Sequence, residues 1–332
     1  MIDDFIKKYN LPEFRRKQFN QAFYRDLISS FNELTTWPKD LREKLNQDIP
    51  FSTIFPVKEI ISSDKKTTKI LFSRFSDKKQ FETVLIRHDD KRNTICVSCM
   101  IGCPLGCVFC ATGKMRMQGN LTSREIIDQV VYFARLLKKA NQTVTNIVFM
   151  GMGEPLLNLE AVLSAIKIFT DPNCFGMSDR RIAISTAGII PELKKLIASG
   201  FKGRLVLSMH TPSQKLRQEL MPIAKENPLP ELMDILKDFS EKTNKRINFE
   251  YIMINKINDQ AQHARDLAKL LGRKLTYVNL IPFNPVSGVS LEKSKPRAIK
   301  EFSKILTKCG IHHTIRVTMG DDIKAACGQL AG

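Results

Sequence analysis

From Thr94 to Val317 the chain alternates short apolar segments with longer amphipathic ones, and this alternation limits the folds open to it. The apolar segments, rich in valine, isoleucine and leucine, are TICVS, NIVFMG, RIAIST, RLVLSMH, NFEYIMI, YVNLIPF and HHTIRV. The segments between them repeat apolar residues at helical spacing, as in SREIIDQVVYFARLLKK. Such alternation is typical of a parallel sheet covered by helices. About six strand–helix units predict an α/β fold, either a doubly wound sheet or a barrel that need not be complete.

The unusual residues of this region nearly all follow the predicted strands. The cysteine-rich stretch follows TICVS, GMGEP follows NIVF, STAG follows IAI, SMHTP follows LVL, and NP follows VNLIPF. In parallel α/β folds the active site gathers at the carboxyl ends of the strands. We therefore expect these segments to form one shared site.

The N-terminal part of the chain lacks this alternation. Residues 1–50 predict a small helical bundle packed on the main body, because apolar side chains recur at spacings of four or five, at Phe14, Phe19, Phe23, Leu27 and Phe31. WPKDLREKL predicts a turn followed by a short helix. From about 67 to 87, TKILFSRF and FETVLIRH predict two strands joined by the charged turn SDKKQ.

The chain is strongly basic. Its 52 lysines and arginines against 34 aspartates and glutamates give a formal charge of +18 and a pI near 9.6. An excess of this size favours a polyanionic partner, most simply nucleic acid, although solubility alone could account for it. The excess is spread along the chain, so it does not locate the binding surface.

The sequence shows no targeting or membrane-spanning pattern. Its start, MIDDFIKKYNLPEF, is not a secretory signal, and no stretch approaches the roughly 20 apolar residues of a membrane span. We therefore expect a soluble cytoplasmic protein with no membrane association. In a reducing compartment, clustered cysteines are more often metal ligands or catalysts than disulfides.

The stretch CVSCMIGCPLGCVFC holds five of the eight cysteines. A zinc site commonly uses two C-x2-C pairs about 12–20 residues apart, whereas Cys96/Cys99 and Cys107/Cys110 are much closer together. The alternative is C-x3-C-x2-C, formed by Cys103, Cys107 and Cys110. Three thiolates on one loop can hold three irons of a 4Fe-4S cluster and leave the fourth iron open to a substrate.

This spacing, with Phe109 before the last cysteine, resembles the radical S-adenosylmethionine (SAM) enzymes, in which the amino and carboxylate groups of SAM bind the open iron. GMGEP is not a G-x-G-x-x-G dinucleotide loop, because Leu156 stands where the third glycine is required. In the enzymes it resembles, a glycine-rich strand end at this place lets backbone carbonyls approach the SAM amino group. A tight strand–helix turn explains the glycines equally well.

Further segments narrow the resemblance. FETV (81–84), ICVS (95–98), GMGEPLLN (151–158), SMHTP (208–212), VNLIPFNP (278–285) and GDDIKAACGQL (320–330) resemble the RlmN/Cfr family of dual-specificity RNA adenine methyltransferases. The resemblance covers essentially the whole chain and is closest to the RlmN side. It implies a partial (β/α)6 radical SAM barrel over 94–318, preceded by a helical RNA-binding accessory domain (1–66) and a β-hairpin linker (67–93). The C-terminal tail, 319–332, would carry a methylated cysteine.

The implied reaction explains why a radical is needed. Carbon 2 of adenine lies between two ring nitrogens and is too electron-poor to attack the methyl group of SAM. In the family, one SAM methylates a cysteine matched by Cys327. A second SAM is cleaved reductively to a 5′-deoxyadenosyl radical, which removes a hydrogen from the S-methyl group so that the methylene adds to adenine. The resemblance makes Cys96 the resolving cysteine, through a transient disulfide with Cys327, and Glu82 the proton acceptor.

The resemblance also implies SAM-binding residues and partners. The SAM-binding residues would be Gly153, Glu154, Ser185, Ser208, Met209, His210 and Asn284. A lone histidine after a strand is also often structural, so His210 has a second interpretation. The implied partners are 23S rRNA in its peptidyl-transferase region, tRNA at the adenosine 3′ to the anticodon, and an electron donor such as flavodoxin with flavodoxin reductase. The protein would act as a monomer.

Some residues depart from the family pattern or leave alternatives. Cys99 and Met100 stand where Ser-Gln is common, and Met319 replaces a basic residue often found before GDD. Cys174 and Cys309 match no motif and are interpreted as structural. The alternatives to carbon 2 are Cfr-like methylation of carbon 8 and, in a different class, a zinc-stabilised RNA-binding protein without catalysis.

Overall fold

The computed structural model describes residues 2–272 and 276–331 and has a ten-stranded sheet as its main feature. The strands are β1 (Ile54–Ile61), β2 (Thr67–Arg74), β3 (Gln80–Arg87), β4 (Asn93–Val97), β5 (Met100–Ile101), β6 (Gly119–Asn120), β7 (Asn146–Phe149), β8 (Ile182–Thr186), β9 (Arg204–Ser208), β10 (Ile247–Met253), β11 (Thr276–Pro282) and β12 (His313–Ile315). The helices are α1 (Ile2–Lys8), α2 (Glu13–Asn20), α3 (Lys39–Asp48), α4 (Ala111–Lys114), α5 (Ser123–Lys138), α6 (Leu159–Thr170), α7 (Ile190–Ala198), α8 (Gln214–Leu220), α9 (Leu229–Thr243), α10 (Ala261–Leu271) and α11 (Pro296–Lys308).

The strand order in the large sheet is β1-β2-β3-β4-β7-β8-β9-β10-β11-β12. The pairs from β1 to β4 are antiparallel, and those from β4 onward are parallel. Strands β1 and β12 lie at opposite edges and do not pair with each other within the described chain, as a partial barrel requires. Each of the first six parallel strands is followed by a helix, so the predicted strand–helix units are confirmed.

Helix α5 shows how the sequence produces one of these units. Thr122 caps its N-terminus, accepting from the Glu125 backbone N–H, while the Glu125 carboxylate accepts from the Thr122 backbone N–H. A reciprocal cap of this kind stabilises a helix by about 1 kcal/mol. Ile126, Val130 and Phe133 lie on one face and are fully buried, so the helical spacing in the sequence becomes the contact with the sheet.

The N-terminal helices form the predicted bundle, with one correction. Phe19, Phe23 and Phe31 are fully buried and contact one another, and Phe19 also contacts Trp37. Phe14, however, is 51% exposed, and Leu27 has a left-handed backbone with φ of 54°. The apolar stripe is therefore not one helical face, because α2 ends at Asn20 and a single π-helical turn, 21–25, follows it before the chain reverses.

A strand that the sequence did not predict extends the hairpin. Strand β1 lies within 1–66, the segment expected to be helical, and pairs with β2. Its sequence, IFPVKEII, carries Pro56 and two charged residues, which obscure the alternation expected of a strand. The pairing register shifts between Pro56 and Lys58, as expected for a proline at a bulge on an edge strand.

Candidate active site

The three cysteines of the C-x3-C-x2-C pattern lie on the loop between β5 and β6, which pair at the base of the loop. Gly102 allows the loop to close, because its φ is 74° and a Cβ there would lie 2.4 Å from the Arg116 carbonyl oxygen. The side chains of Cys103, Cys107 and Cys110 are half-buried. The loop therefore presents its thiols at the carboxyl end of β4, where the sequence predicted a site.

The three thiols affect one another electrostatically. Burial raises the pKa of Cys103 to about 12 and also raises the pKa of Cys107 and Cys110. The charge of a neighbouring thiolate is a further cause, since Cys110 acts on both other thiols and Cys103 acts on Cys107. Positively charged iron removes this penalty because metal coordination deprotonates a thiol.

Within 2–272 and 276–331, no three Cys, His, Asp or Glu side chains converge as ligands of a single metal ion. A 4Fe-4S cluster held by three cysteines uses one thiolate for each of three irons, so its ligands surround a group rather than one ion. The loop supplies the three cysteines that such a cluster requires.

Arg217, which the sequence analysis did not select, supports that fit. Its side chain is fully buried on α8, and its Nη2 donates to the carbonyl oxygens of Ala187 and Ser208. Its Nε and Nη1 have no hydrogen-bond partner within the described part of the chain. Burial lowers its pKa to about 10, opposed by attraction to Cys107. A buried cation of this kind calls for an anion beside it, and a thiolate-ligated iron–sulfur cluster supplies one.

Gly153 and Glu154 lie directly after β7. Gly153 has φ of 100°, and a Cβ there would lie 2.5 Å from the Met100 side chain, so only glycine fits. Glu154 is buried, and its carboxylate accepts from the backbone N–H groups of Leu156 and Ala187. Burial raises its pKa, and the hydrogen bonds partly oppose this. The carboxylate connects the end of β7 to the end of β8.

The next two strand ends bring Ser185 and Ser208 together. Their hydroxyl oxygens are 3.4 Å apart, on neighbouring β8 and β9, and Met209 beside them is fully buried. The two hydroxyls form a small polar surface at the carboxyl edge of the sheet. Both hydroxyls remain available to a ligand as donors and acceptors.

His210 connects several parts of the site. Its Nδ1 accepts from the Ile252 backbone N–H at 3.2 Å, and its ring contacts Phe109 edge-to-face at 4.7 Å. Burial lowers its pKa to about 3, so the ring is neutral at pH 7. The residue has a left-handed backbone with φ of 61°. These contacts favour the structural interpretation of His210, in which the ring joins the cysteine loop to β10. They are compatible with a contact to a ligand as well.

The C-terminal tail lies against the cysteine loop. The backbone N–H of Ala111 donates to the Gly328 carbonyl at 2.7 Å, and the Thr112 hydroxyl donates to the Leu330 carbonyl at 2.6 Å. Asn284, from the segment after β11, donates its amide to the Cys327 carbonyl at 3.0 Å. The fold therefore brings Cys327 to the site, although more than two hundred residues separate it from the loop.

Cys96 and Cys327 line the same cavity, which has a volume of about 1060 Å³. Alternate residues of several strands face it, such as Thr94 and Cys96 on β4, because side chains in a strand alternate between its two faces. Burial raises the pKa of Cys96 to about 12, with a smaller contribution from Cys327. Cys110 and Asn284 also line this cavity.

Glu82 is not among the residues that line this cavity. It lies on β3, and its Oε1 forms an ion pair with Lys69 Nζ at 2.8 Å while both side chains are at most 10% exposed. Its Oε2 accepts from the backbone N–H of Ala331 at 2.9 Å. In this conformation the carboxylate holds the end of the tail.

Arg316 is a second residue that the sequence analysis missed. Its Nη1 lies 3.8 Å from Cys327 Sγ and 3.8 Å from Glu250 Oε2. Arginine within the apolar segment IHHTIRV was the available signal, since a charge there must find a partner. Arg217 gave no such signal, because it stands in the polar segment SQKLRQEL.

The remaining cysteines lie apart from these contacts or inside the core. Cys99 is 2% exposed, its thiol faces the Met152 carbonyl, and burial raises its pKa well above the ordinary range. Cys174 is likewise buried and has its pKa raised to about 12. Neither Cys99 nor Cys174 lines the cavity that Cys96 and Cys327 share, so neither is placed to react with Cys327.

The opposite end of the cavity is basic. Six cations line it next to the amino ends of β4, β8, β9 and β10, and we call them the basic rim: Arg92, Arg180, Lys202, Arg204, Lys245 and Arg246. Five of them are exposed and Lys245 is half-buried. Arg92 pairs with Asp90, whereas no described carboxylate forms a salt bridge with the other five.

Comparison with known proteins supports this picture. A model of the radical SAM superfamily matches residues 97–268. A relative named "Probable dual-specificity RNA methyltransferase RlmN 2", from Protochlamydia amoebophila, is 39% identical over 99% of this chain and 91% of its own. "Ribosomal RNA large subunit methyltransferase N" from Nitrosopumilus maritimus is 39% identical over 96% of this chain and 92% of its own.

A solved structure gives the same result. The crystal structure of a radical SAM methyltransferase from Sphaerobacter thermophilus superposes with a TM-score of 0.95, at 38% identity, and covers 99% of this chain and 96% of the other. Among the helices of the described residues, none has the length and apolar character needed to cross a membrane. The radical SAM superfamily uses a 4Fe-4S cluster and SAM, for which the cysteine loop and its buried cation are suited. The chain therefore belongs to the RlmN family of radical SAM methyltransferases.

Proposed function

We propose that this protein methylates carbon 2 of an adenosine in the peptidyl-transferase region of 23S rRNA, and of the adenosine 3′ to the anticodon in tRNA. The methyl group would pass through S-methylated Cys327 and a covalent protein–RNA adduct. The observation that carries the proposal is the position of the tail, which places Cys327 beside the cysteine loop and in one cavity with Cys96. The similarity to proteins named as RNA methyltransferases supports an RNA substrate.

Three cysteines would hold the cluster: Cys103, Cys107 and Cys110. When bound, the cluster supplies the electron for reductive cleavage of SAM, and an electron donor such as flavodoxin with its reductase would restore it. Gly153, Glu154, Ser185, Ser208, Met209, His210 and Asn284 would bind SAM, with two molecules used per turnover. Two observations support this assignment. The Ser185 and Ser208 hydroxyls lie close together, and the backbone at Gly153 leaves no room for a side chain.

Cys96 would release the product from Cys327. Its sulfur would form a disulfide bond with the Cys327 sulfur as the bond between that sulfur and the transferred carbon breaks. The electron pair of the broken bond passes to the carbon, which becomes the methyl group after protonation. Both sulfurs face the same cavity, as this exchange requires.

Glu82 would accept the proton from carbon 2. In the described conformation its carboxylate is engaged by Lys69 and by the Ala331 backbone. We infer that the end of the tail leaves Glu82 when RNA binds, which frees one carboxylate oxygen. The ion pair with Lys69 would remain and hold the carboxylate in place.

The RNA would enter from the end of the cavity that carries the basic rim. Exposed arginine and lysine side chains attract phosphate groups, and the target base would have to leave its stack to reach Cys327. The overall charge of +18 supports the same choice of partner. We propose that the protein works as a monomer in the cytoplasm.

Mass spectrometry of the tail tests the proposed intermediate. Cleavage after Lys324 yields a C-terminal peptide containing Cys327 and no other cysteine. We expect this peptide to carry one added methyl group, with the methyl carbon derived from labelled SAM. A protein that methylates RNA while Cys327 stays unmethylated would contradict the intermediate.

Nucleoside analysis of the RNA tests the position of methylation. Reaction with 23S rRNA or tRNA, followed by digestion, should give 2-methyladenosine. If 8-methyladenosine is formed and 2-methyladenosine is not, the Cfr-like alternative is established. Colourless protein with one bound zinc and no methylation of RNA would favour the non-catalytic RNA-binding alternative.

A further inference from the structure

Arg316 occupies an unusual position between a carboxylate and the tail cysteine. Its Nη1 is 3.8 Å from Cys327 Sγ and equally far from Glu250 Oε2. The Arg316 side chain is 36% exposed and that of Glu250 only 6%. The guanidinium is therefore the cationic centre between a buried carboxylate and a sulfur that faces the cavity.

Glu250 anchors this arrangement from below. Its Oε1 accepts from the Asn279 amide at 2.9 Å, and the Asn279 carbonyl oxygen in turn accepts from the Thr314 hydroxyl at 3.0 Å. Its Oε2 has no hydrogen-bond partner among the described residues and has only Arg316 as a nearby cation. A buried carboxylate with one unsatisfied oxygen is costly, so it strongly favours a guanidinium beside it.

The backbone fixes Arg316 relative to the tail. Its N–H donates to the Leu280 carbonyl at 2.8 Å, which attaches the residue to β11 directly after β12. Asn284 accepts from the Thr318 hydroxyl at 3.2 Å and donates to the Cys327 carbonyl at 3.0 Å. These contacts hold both ends of the segment from Arg316 to Cys327 against the same edge of the sheet.

We propose that Arg316, anchored by Glu250, is a positioning residue that holds the Cys327 sulfur beside a cation and directed into the cavity. The proposal rests on the proposed function, because it assigns Arg316 to the step that methylates Cys327. In that step the thiolate attacks the methyl carbon of SAM. A sulfur–carbon bond forms on Cys327, the methyl–sulfonium bond breaks, and its electron pair leaves on S-adenosylhomocysteine. The thiol proton is lost to solvent beforehand, and no electron is gained or lost.

The other titratable groups around Arg316 and Cys327 do not provide a positive charge. Cys96, Cys110 and His88 face this region from β4, the cysteine loop and the segment after β3. Burial and the nearby arginines lower the pKa of His88, so it is neutral at pH 7. The pKa of Arg316 is raised, mainly by attraction to Cys327 and less by Glu250 and Cys96. Among the described groups that face Cys327, Arg316 is thus its close cation.

The experiment compares Arg316→Gln, Arg316→Lys and a control, Arg297→Gln, which removes an exposed arginine from α11. Two properties of the tail peptide are measured by mass spectrometry in the full-length protein. The first is methyl occupancy of Cys327 as purified. The second is the rate at which iodoacetamide alkylates the unmethylated fraction between pH 6 and 10. Thermal unfolding verifies that each variant is folded.

We expect Arg316→Gln to lower methyl occupancy and to slow alkylation at pH 7.5 about tenfold, because the sulfur loses its neighbouring cation. The alkylation profile should move to higher pH, and the rates should converge near pH 10. Arg316→Lys should recover part of both effects because it keeps the charge, and Arg297→Gln should match the unmodified protein. If Cys327 of the unmodified protein is fully methylated, no free sulfur remains to be alkylated. The comparison of methyl occupancy between the proteins then tests the role of Arg316.

The outcomes separate this inference from the proposed function. An unmodified protein whose Cys327 is never methylated refutes the proposed function. Methylation in the unmodified protein with the same occupancy and the same alkylation profile in Arg316→Gln refutes the role of Arg316 alone. Equal losses in Arg316→Gln and Arg316→Lys with an unchanged pH profile also refute it, since they indicate a purely steric effect.

Discussion

At the residue scale, the eight cysteines of one chain differ in chemistry because they differ in surroundings. Three are half-buried on one loop, Cys96 and Cys327 share a cavity with Cys110 of that loop, and Cys99 and Cys174 are closed inside the core. The pattern of spacing predicted the loop thiols, whereas Cys99, although adjacent in sequence, does not line the cavity that Cys96 and Cys327 share. Accessibility and neighbouring charge, rather than residue type, decide which sulfur can react.

The first prediction at this scale concerns release of the product. Cys96→Ala should accumulate a covalent protein–RNA adduct, because the adduct on Cys327 then lacks its resolving sulfur. The adduct is measured as protein that co-migrates with RNA on a denaturing gel and disappears after nuclease treatment. Turnover should fall at least about a hundredfold, in keeping with loss of a nucleophile that acts in the reaction.

Two further variants control this result. The double variant Cys96→Ala/Cys327→Ala should form no adduct, since the attachment point is gone. Cys309→Ala, at the end of α11, should behave as the unmodified protein. Recovery of Cys96→Ala free of RNA with full turnover would show that another group resolves the adduct.

The second prediction concerns His210 and acid stability. Its pKa of about 3 in the folded protein lies below the ordinary value of 6.5, because burial disfavours the charged ring. The unfolded chain therefore binds more protons between these values. The stabilising contribution of the neutral ring is complete above pH 6.5 and is lost as the pH falls toward 3, by about 1.4 kcal/mol per pH unit.

Denaturant unfolding between pH 4 and 8 measures this effect. His210→Asn keeps a side chain that tolerates the left-handed backbone, and it should be less stable at pH 7 but lose less stability on acidification. The difference in free energy of unfolding between the two proteins should therefore shrink as the pH falls. If the difference in free energy of unfolding between the two proteins is constant from pH 4 to 8, His210 is not the source of the pH dependence.

At the scale of elements, the tail is the part whose position has the largest consequence. It is connected to α4 through Thr112, to β3 through Glu82, and to β2 through Lys69, whose ammonium donates to the Lys324 carbonyl. Each contact is a single hydrogen bond, so the tail is held by several weak interactions. Such an element can open without unfolding the barrel.

Limited trypsin digestion tests the attachment of the tail. Lys324 is exposed but Ala325 and Ala326 after it are buried, so cleavage requires the tail to open. Thr112→Val removes the hydrogen bond to Leu330 and should increase cleavage after Lys324 about fivefold, from a loss of about 1 kcal/mol. Thr112→Ser should retain the slow rate. Equal rates in all three proteins would mean that this bond does not hold the tail.

At the scale of the whole molecule, the cavity has the cysteines at one end and basic residues at the other. The cysteine loop and the tail lie at the carboxyl ends of the strands, and the basic rim lies at the amino ends. Because the sheet is open at β1 and β12, the cavity between these ends is not closed into a complete barrel. The cavity thus connects a basic surface with the sulfurs of Cys96 and Cys327.

The salt dependence of RNA binding tests this organisation. Replacing Lys202 and Arg204 with glutamine should weaken binding and reduce the slope of log affinity against log salt by about 1.4, at roughly 0.7 per lost phosphate contact on single strands. Replacing Lys300 and Lys304, two exposed lysines of α11, serves as the control and should leave the slope nearly unchanged. If both pairs change the slope equally, RNA binding is not centred on the rim.

The sequence by itself determined the strand–helix order and the grouping of three thiols at 103, 107 and 110, because periodicity and spacing are local properties of the chain. The tail cysteine was selected by the resemblance of GDDIKAACGQL to a known family. The sequence did not predict β1, whose charged residues and proline obscure the alternation of a strand. It did not identify Cys327 and Glu250 as the partners of Arg316, and it gave no sign that Arg217 would be buried beside Cys107. Only the tertiary structure decided these, because burial and the partners of a charge depend on segments far apart in the chain.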